Sequence, residues 1–161
     1  SQEKKSLIQH LDKSMNSIVK RIEKHIEKAG YQDDYKRCLG IPGVGALNAA
    51  NLLAIYHRGN FTRADAFIAF MGLDVRVRES GYYRGKRKLT KRGDPETRRL
   101  LFNAARSGSR MPVWNTYYLS LRARGHSTTA AAVALSRKIA RLAFALLRDQ
   151  SEFIDPSAKK T

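Results

Sequence analysis

The sequence predicts a mainly helical domain with a small β-hairpin, preceded by a coiled-coil helix. Apolar residues recur in steps of three and four over most of the chain, and helix start and stop signals such as Asp94-Pro95 and Gly125 divide this pattern into segments. One stretch, residues 73–78, alternates apolar and charged side chains as a strand does. The expected division is a coil over residues 1–30, a domain over 35–150 and a disordered tail over 151–161.

The charge of the chain points to a polyanionic partner. Its 161 residues include 31 Lys and Arg against 14 Asp and Glu, a net charge of +17. An anionic membrane is disfavoured because the chain has no apolar run of about 18 residues and no signal peptide at its start. Nucleic acid remains. Cys38 is the single cysteine, which excludes an internal disulfide and suits a reducing cytoplasm, and the four histidines lack metal-ligand spacing.

The first helix, expected from Gln2 to Lys28, carries an apolar stripe with the spacing of a coiled coil. Such a stripe needs a partner, either another copy of the chain or a segment outside this sequence; docking on its own domain is the alternative. Three heptads are marginal alone, so the helix is expected to be the C-terminal part of a longer coil. Gly30 and the polar stretch 31–34 are expected to end it. The stripe consists of Ile8, Leu11, Met15, Ile18 and Ile22.

Residues 39–53 resemble a helix-hairpin-helix element, in which a Gly-x-Gly turn joins a short helix to an Ala- and Leu-rich one. Gly43 and Gly45 are expected to permit positive φ and to leave no side chain over the turn. Backbone N–H groups at the start of the second helix can then face a phosphate. The alternative is a tight interhelical turn without a ligand.

Further local signals define the remaining elements. Residues 62–65 are similar to a capping box and predict a short helix ending at Gly72, with Phe61, Phe67, Phe70 and Met71 in the core. Residues 73–78 and 82–89 predict a hairpin turning near Ser80-Gly81, although residues 85–88 could equally form a mobile loop. Three helices are then expected: one capped by Asp94 and reaching Gly108, one from Val113 to Arg124, and one capped by Ser127 and ending at Arg148.

The segment from Arg76 to Arg99 contains ten basic residues against three acidic ones and is the expected centre of nucleic-acid contact. Tyr82 and Tyr83 within it could stack on bases. The predicted nucleic-acid-binding residues are Gly43, Gly45, Arg76, Arg78, Arg84, Lys86, Arg87, Lys88, Lys91, Arg92, Arg98 and Arg99.

Ser80 lies inside this basic segment and is a candidate nucleophile. A serine hydroxyl attacks phosphorus only when a base removes its proton and cations stabilise the developing charge. The cations are present in the sequence, but no histidine is near, Glu79 would face the opposite side of an extended segment, and Asp74 is six residues away. On spacing alone, Ser-Gly is a common turn.

An ordered series of motifs resembles the C-terminal transposase domain of the insertion-sequence recombinases related to the pilin-gene invertase Piv, whose better-known members are guided by a bridge RNA. The resemblance covers about Leu39 to Arg148. Thr90 departs from it, because serine is common at that position, but a hydroxyl is retained. The motifs are Ile41-Pro42-Gly43-Val44-Gly45, Phe67 through Gly72-Leu73-Asp74, Arg78-Glu79-Ser80-Gly81, Gly85, Lys91-Arg92-Gly93-Asp94-Pro95, Arg98-Arg99-Leu100 and Leu121-Arg122-Ala123-Arg124-Gly125.

The resemblance implies a recombinase that cuts and rejoins DNA through a phosphoserine link, with Ser80 as the nucleophile. It implies DNA and a guide RNA as partners, and a RuvC-like domain, not contained in this sequence, whose carboxylates bind Mg²⁺. We therefore expect this chain alone to bind nucleic acid without recombining it. Tyr82 or Tyr83 is an alternative nucleophile. A non-catalytic helix-hairpin-helix module is an alternative function, whereas a transcription factor is disfavoured because the basic residues are not spread along one helix face.

Overall fold

The protein is mainly helical, as predicted. The computed structural model describes residues 1–76, 79–80, 83–84, 88–89 and 93–160; for residues 75–76, 79–80, 83–84, 88–89 and 159–160 it describes the backbone alone. No helix in the described part is long and apolar enough to cross a bilayer. The described residues form the helices α1 (Gln2–Lys28), α2 (Gln32–Leu39), α3 (Ala46–Arg58), α4 (Ala64–Phe70), α5 (Pro95–Gly108), α6 (Pro112–Ala123) and α7 (Thr128–Asp149), followed by a 3-10 turn at Pro156–Lys160.

Short antiparallel pairings occur between α4 and α5. Strand β1 (Val75–Arg76) pairs with β4 (Lys88–Leu89), and β2 (Glu79–Ser80) pairs with β3 (Tyr83–Arg84). Residues 81 and 82, where the predicted hairpin would turn, lie outside the described residues. The complete hairpin therefore stays a prediction.

Helix α7 is the central element of the core. It packs against α2, α4, α5 and α6, because Ala131, Ala140 and Ala143 let neighbouring helices approach closely. Larger side chains such as Phe144 fill the remaining space, and its ring centroid lies 5.6 Å from that of Phe67. Each fully buried large side chain contributes about 1.5–3 kcal/mol to stability. Beyond α7, Phe153 of the predicted tail lies near Trp114, with ring centroids 6.5 Å apart.

Two of the predicted helix caps are confirmed and one is wrong. Asp94 accepts a hydrogen bond from the Glu96 N–H at 3.1 Å, and Ser127 accepts one from the Ala130 N–H at 3.1 Å. The capping box at residues 62–65 does not form. Arg63, in extended conformation, is the N-cap of α4 without a side-chain bond, and Asp65 instead accepts from Arg141 at 2.7 Å.

Phe70 is also placed wrongly by the core prediction, because 49% of its surface is exposed. Helix α4 turns by about 100° per residue, so Met71 lies near the buried side of Phe67 while Phe70 is rotated away. Phe67 and Met71 are buried as predicted, and Phe61 is half-buried.

Helix α1 has the predicted bounds and is anchored at its C-terminal third. Ile26 packs against the core, and the Tyr35 hydroxyl of α2 donates to Glu23 Oε1 at 3.0 Å. Ile22 is half-buried, but the rest of the apolar stripe is exposed, by 46–57% for its four other members. No residue of α1 is buried. The helix therefore presents most of an apolar stripe that its own domain does not cover.

Candidate nucleic-acid interface

The turn between α2 and α3 is held against the end of α5. Gly43 has φ of +90°, and a Cβ built on it would lie 2.8 Å from the Ala104 carbonyl oxygen and 3.1 Å from Gly108 Cα. Trp114 Nε1 also donates to the Pro42 carbonyl oxygen at 2.8 Å. Only glycine fits this position without moving α5. Gly43 is thus explained by packing as well as by the turn, a reason that the sequence did not reveal.

Gly45 has a different backbone conformation from the expected one. Its φ is −91°, so the prediction of positive φ is wrong for this residue; it is the extended N-cap of α3. It is exposed, and a Cβ built on it would meet no atom within 4 Å. The first turn of α3 has neither a side-chain cap nor an acidic residue. Its N–H groups and the positive end of the helix dipole are therefore not compensated by a capping side chain.

Arg98 and Arg99 lie at the start of α5 with different surroundings. Arg98 is half-buried and donates to the Gly93 carbonyl oxygen at 2.6 Å. Arg99 is exposed and binds Glu96 with two hydrogen bonds, one of them from Nε to Oε2 at 2.9 Å. Hydrogen bonding to Arg99 lowers the pKa of Glu96 from its ordinary value. An exposed pair of this kind is weak, so Arg99 can exchange Glu96 for a phosphate at little cost.

The chain is fixed to the core on both sides of residues 74–92, which contain most of the basic segment. On one side Leu73 is buried. On the other, a Cβ on Gly93 would come within 2.3 Å of the Met71 carbonyl carbon, so Gly93 lies directly against the end of α4. Asp94 extends this anchor, because it accepts from the Thr97 hydroxyl at 3.2 Å, and that hydroxyl accepts from Asn51 of α3 at 2.9 Å. The segment thus starts and ends beside the same buried elements.

The remaining predicted residues of the basic segment are described in part. The backbone of Ser80 pairs with Tyr83, and that of Glu79 pairs with Arg84. Arg76 and Lys88 face each other in the register of β1 and β4. For these residues the structure gives the backbone alone. Arg78, Lys86, Arg87, Lys91 and Arg92 lie outside the described residues.

The described residues do not gather the ligands of a metal site. Within residues 1–74 and 93–158, no three side chains of His, Cys, Asp or Glu come together. This donor set does not fit a divalent ion, which needs several carboxylate or carbonyl oxygens around it.

The predicted nucleic-acid contacts centre on residues 76–99 and do not include the basic residues that follow. Between Glu96 and Asp149 the chain has no acidic residue, yet it has ten basic ones, eight of them after Arg99. Arg106 and Arg110 belong to this stretch and are both exposed. The signal was visible in the sequence as an absence of Asp and Glu over 52 residues.

Comparison with known proteins gives consistent matches. Residues 35–119 match the family described as "Transposase IS116/IS110/IS902 family". The chain is 31% identical over 118 residues to the insertion element IS900 uncharacterized 42 kDa protein of Mycobacterium paratuberculosis, covering 71% of this chain and 30% of that protein. It is 32% identical over 111 residues to the insertion element IS110 uncharacterized 43.6 kDa protein of Streptomyces coelicolor, covering 68% of this chain and 27% of that protein.

The chain spans less than a third of the length of these relatives. The matched region begins in α2 and ends in α6, so it contains the Gly43 turn, the basic segment with Ser80, and the anchor at Gly93. The match thus covers more than half of the chain, and the chain belongs to the IS116/IS110/IS902 family of transposases.

Proposed function

We propose that this chain is the DNA-binding part of a transposase and that it supplies the serine nucleophile for cutting and rejoining DNA. The observation that carries the proposal is the family match over residues 35–119, which includes Ser80 and every predicted contact residue from Gly43 to Arg99. A net charge of +17 supports DNA as the partner. The uncapped start of α3 beside Gly45 and the exposed guanidinium of Arg99 are suited to backbone phosphates.

In the proposed reaction the Ser80 hydroxyl oxygen attacks a phosphorus of the DNA backbone. A base takes the serine proton, a phosphorus–oxygen bond to the deoxyribose breaks, and the departing oxygen takes up a proton. Cations of the basic segment would stabilise the charge that develops on the phosphoryl oxygens. The reverse attack, by a deoxyribose hydroxyl on the phosphoserine, rejoins a strand and frees Ser80. The phosphodiester energy is conserved in the covalent link, so no external energy source is needed.

The groups that activate Ser80 are proposed to come from a second, RuvC-like domain outside this chain. When bound there, Mg²⁺ would act as a Lewis acid on the phosphate. This chain's own part is to hold the DNA and to present Ser80 on a segment whose ends are anchored at Leu73 and Gly93. A guide RNA and a second copy of the chain, joined through α1, are further proposed partners.

The experiment uses the parent protein with its acidic domain and measures recombination, DNA affinity and the covalent adduct. Ser80→Ala should abolish strand exchange and the adduct while leaving DNA affinity nearly unchanged. The matched control is Ser120→Ala, an exposed serine whose hydroxyl donates to the Tyr117 carbonyl oxygen; this variant should recombine normally. Mapping the peptide linked to DNA should identify Ser80. Normal recombination by Ser80→Ala would remove Ser80 from the mechanism.

The same mapping separates Ser80 from its neighbours. If Tyr82 or Tyr83 were the nucleophile, the adduct would map to that tyrosine and would disappear in the corresponding Tyr→Phe variant. Loss of the adduct in Ser80→Ala alone, with both Tyr→Phe variants still forming it, supports the serine.

A non-catalytic helix-hairpin-helix module is the second candidate function. It is favoured by the Gly43 turn and by the uncapped α3 start, which serve phosphate contact without any chemistry. A parent protein that binds DNA tightly and never forms a covalent adduct would support this alternative and contradict the recombinase proposal.

A further inference from the structure

A polar groove lies between α5, α6 and the first turn of α7. Its volume is about 470 Å³. Hydroxyl and guanidinium groups line much of it, beside two aromatic rings. The lining residues used below are Phe102, Arg106, Arg110, Tyr118, Thr128 and Thr129.

The groove is positively charged without internal compensation. Neither the Arg106 nor the Arg110 guanidinium has an ion-pair partner among the described residues, and no acidic residue occurs between residues 97 and 148. Arg122 lies one helical turn after Tyr118, on the same side of α6. Its Nη1 donates to the His126 carbonyl oxygen at 2.6 Å, just before α7 begins. Arg106 and Arg110 therefore line the groove without a carboxylate among the described residues to neutralise them.

The backbone at the groove is held in place by hydrogen bonds. Asn115 Nδ2 donates to the Ser109 carbonyl oxygen at 2.9 Å, and the Ser109 hydroxyl donates to the Arg106 carbonyl oxygen at 2.8 Å. These bonds fix the link between α5 and α6, so Arg106 and Arg110 extend from a defined scaffold. A preorganised scaffold reduces the entropy lost when a ligand binds.

The first turn of α7 adds partial positive charge to the same groove. Ser127 caps the Ala130 N–H, and no acidic residue lies in that turn of a 22-residue helix. Thr128 and Thr129 are exposed there and offer hydroxyl donors. Helix N-termini favour anions, and the Arg106 and Arg110 guanidinium groups provide further positive charge in the same groove. A chain of phosphates can therefore be contacted at more than one point.

The groove also continues the surface on which nucleic-acid contact was predicted. Arg99 and Arg106 are seven residues apart, nearly two turns, so they lie on one face of α5 about 10 Å apart along its axis. Arg110 follows about one turn later. A single line of cations thus leads from the start of α5 into the groove.

We propose that this groove binds the sugar-phosphate backbone of a nucleic acid and extends the contact surface from the basic segment past the end of α5 to the α6–α7 turn. The inference rests on the proposed function, since it requires that the chain binds nucleic acid. Arginine, exposed hydroxyls and a helix N-terminus together recognise phosphate, and the flat rings of Phe102 and Tyr118 suit the sugars and bases beside it.

The test measures binding of the chain to a labelled duplex DNA and, separately, to a labelled single-stranded RNA by fluorescence anisotropy over a range of salt concentrations. Arg106→Gln combined with Arg110→Gln should weaken binding about tenfold and reduce the slope of log K against log salt by about 1.8 on duplex DNA, the amount for two lost phosphate contacts. The control, Lys4→Gln with Lys5→Gln, removes the same charge from the exposed start of α1. It should change affinity less than about twofold, since those cations lie outside the groove.

A second variant keeps the inference testable if the arginine variant does not fold. Thr129→Glu places a carboxylate in the first turn of α7, which favours the helix through its dipole. Its urea unfolding midpoint should be equal or higher, while its affinity for nucleic acid should fall. If the variant is as stable as the unsubstituted chain, unfolding cannot explain its weaker binding. Such a result supports nucleic-acid binding in the groove.

The outcomes separate the inference from the proposed function. If the groove variants bind only the duplex DNA more weakly, the groove is assigned to the target duplex. If they bind only the RNA more weakly, it is assigned to a guide RNA. Either result supports the inference. If the unsubstituted chain binds and both groove variants bind like the control, the inference about the groove is wrong while the proposed function stands. If the unsubstituted chain binds neither nucleic acid, both are overturned.

Discussion

Asp34 Oδ2 lies 2.9 Å from His57 Nε2, which ties α2 to the end of α3. The other carboxylate oxygen accepts from Arg37 Nη1 at 2.7 Å and from Gln150 Nε2, just after α7, at 3.1 Å. The ring of His57 is stacked on Tyr31, with centroids 4.1 Å apart. One largely buried carboxylate thus joins α2, the end of α3 and the residue that follows α7.

Replacement of Asp34 by Ala should therefore destabilise the protein. Removing the acceptor leaves the partly buried Arg37 guanidinium without its ion pair, a change that costs about 3 kcal/mol. Urea unfolding followed by circular dichroism measures this loss. Asp33→Ala is the matched control, because Asp33 is exposed in the same helical turn, and it should cost below about 1 kcal/mol. Equal stability of the two variants would show that the three-way contact contributes little.

The sequence correctly predicted the features that depend on residues close together in the chain. The bounds of α1, the Asp94 cap and the Ser127 cap were predicted correctly, because periodicity and capping act within a few residues. Asp34 falls in the polar stretch that the sequence predicts to end α1, yet it is buried. Its partners His57 and Gln150 lie 23 and 116 residues away in the chain, so no local signal indicates these contacts.

The candidate site shows the same limit. Glycine at 43 was predicted from the turn, but its close approach to Ala104 depends on how α5 packs across the chain. Arg98 stays a predicted nucleic-acid contact, and its Nη1 also donates to the Gly93 carbonyl oxygen, a bond within the fold that the sequence did not indicate. Composition indicates that a surface is basic; it does not tell which cation supports the fold and which is available to a ligand.

Gly43 and Gly45 offer a direct test of that packing. Gly43→Ala should cost at least about 2 kcal/mol, because the new Cβ meets the Ala104 carbonyl oxygen and the residue must keep a positive φ. Gly45→Ala should cost less than about 1 kcal/mol, since its φ is negative and the space around it is open. Chemical denaturation measures both. A Gly43→Ala protein as stable as Gly45→Ala would contradict the close contact with α5.

Cys38 should be unreactive in the folded protein. Its side chain is fully buried, and burial, aided by the Asp34 charge, raises the pKa of the thiol from 9.0 to about 12. The thiolate that attacks alkylating reagents is therefore scarce below pH 9. Iodoacetamide should modify the native protein far more slowly than the protein unfolded in urea, as followed by mass spectrometry. Similar rates in both states would contradict the burial of this thiol.

The same burial predicts a loss of stability in alkali. Burial, together with the hydrogen bond to Glu23, also raises the pKa of Tyr35 from 10.0 to about 12. The folded state favours the neutral thiol and phenol, so their stabilising effect is complete below pH 9 and is lost as the pH rises toward 12. The free energy of unfolding should fall over this interval. Cys38→Ala and Tyr35→Phe should each flatten the decline, and an unchanged profile in both variants would exclude these two groups as its cause.

The exposed stripe of α1 should join two copies of the chain. Leu11 and Ile18 are 53% and 46% exposed, and an unpaired apolar stripe of this length gains stability when a second helix covers it. Sedimentation should give about twice the chain mass of 18.2 kDa. Leu11→Glu with Ile18→Glu should return the protein to a monomer, because two carboxylates cannot be buried in the seam. Gln9→Glu with Asn16→Glu adds the same charge about 200° around the helix and should leave the dimer intact. If both double variants sediment like the unsubstituted chain, the stripe does not mediate self-association.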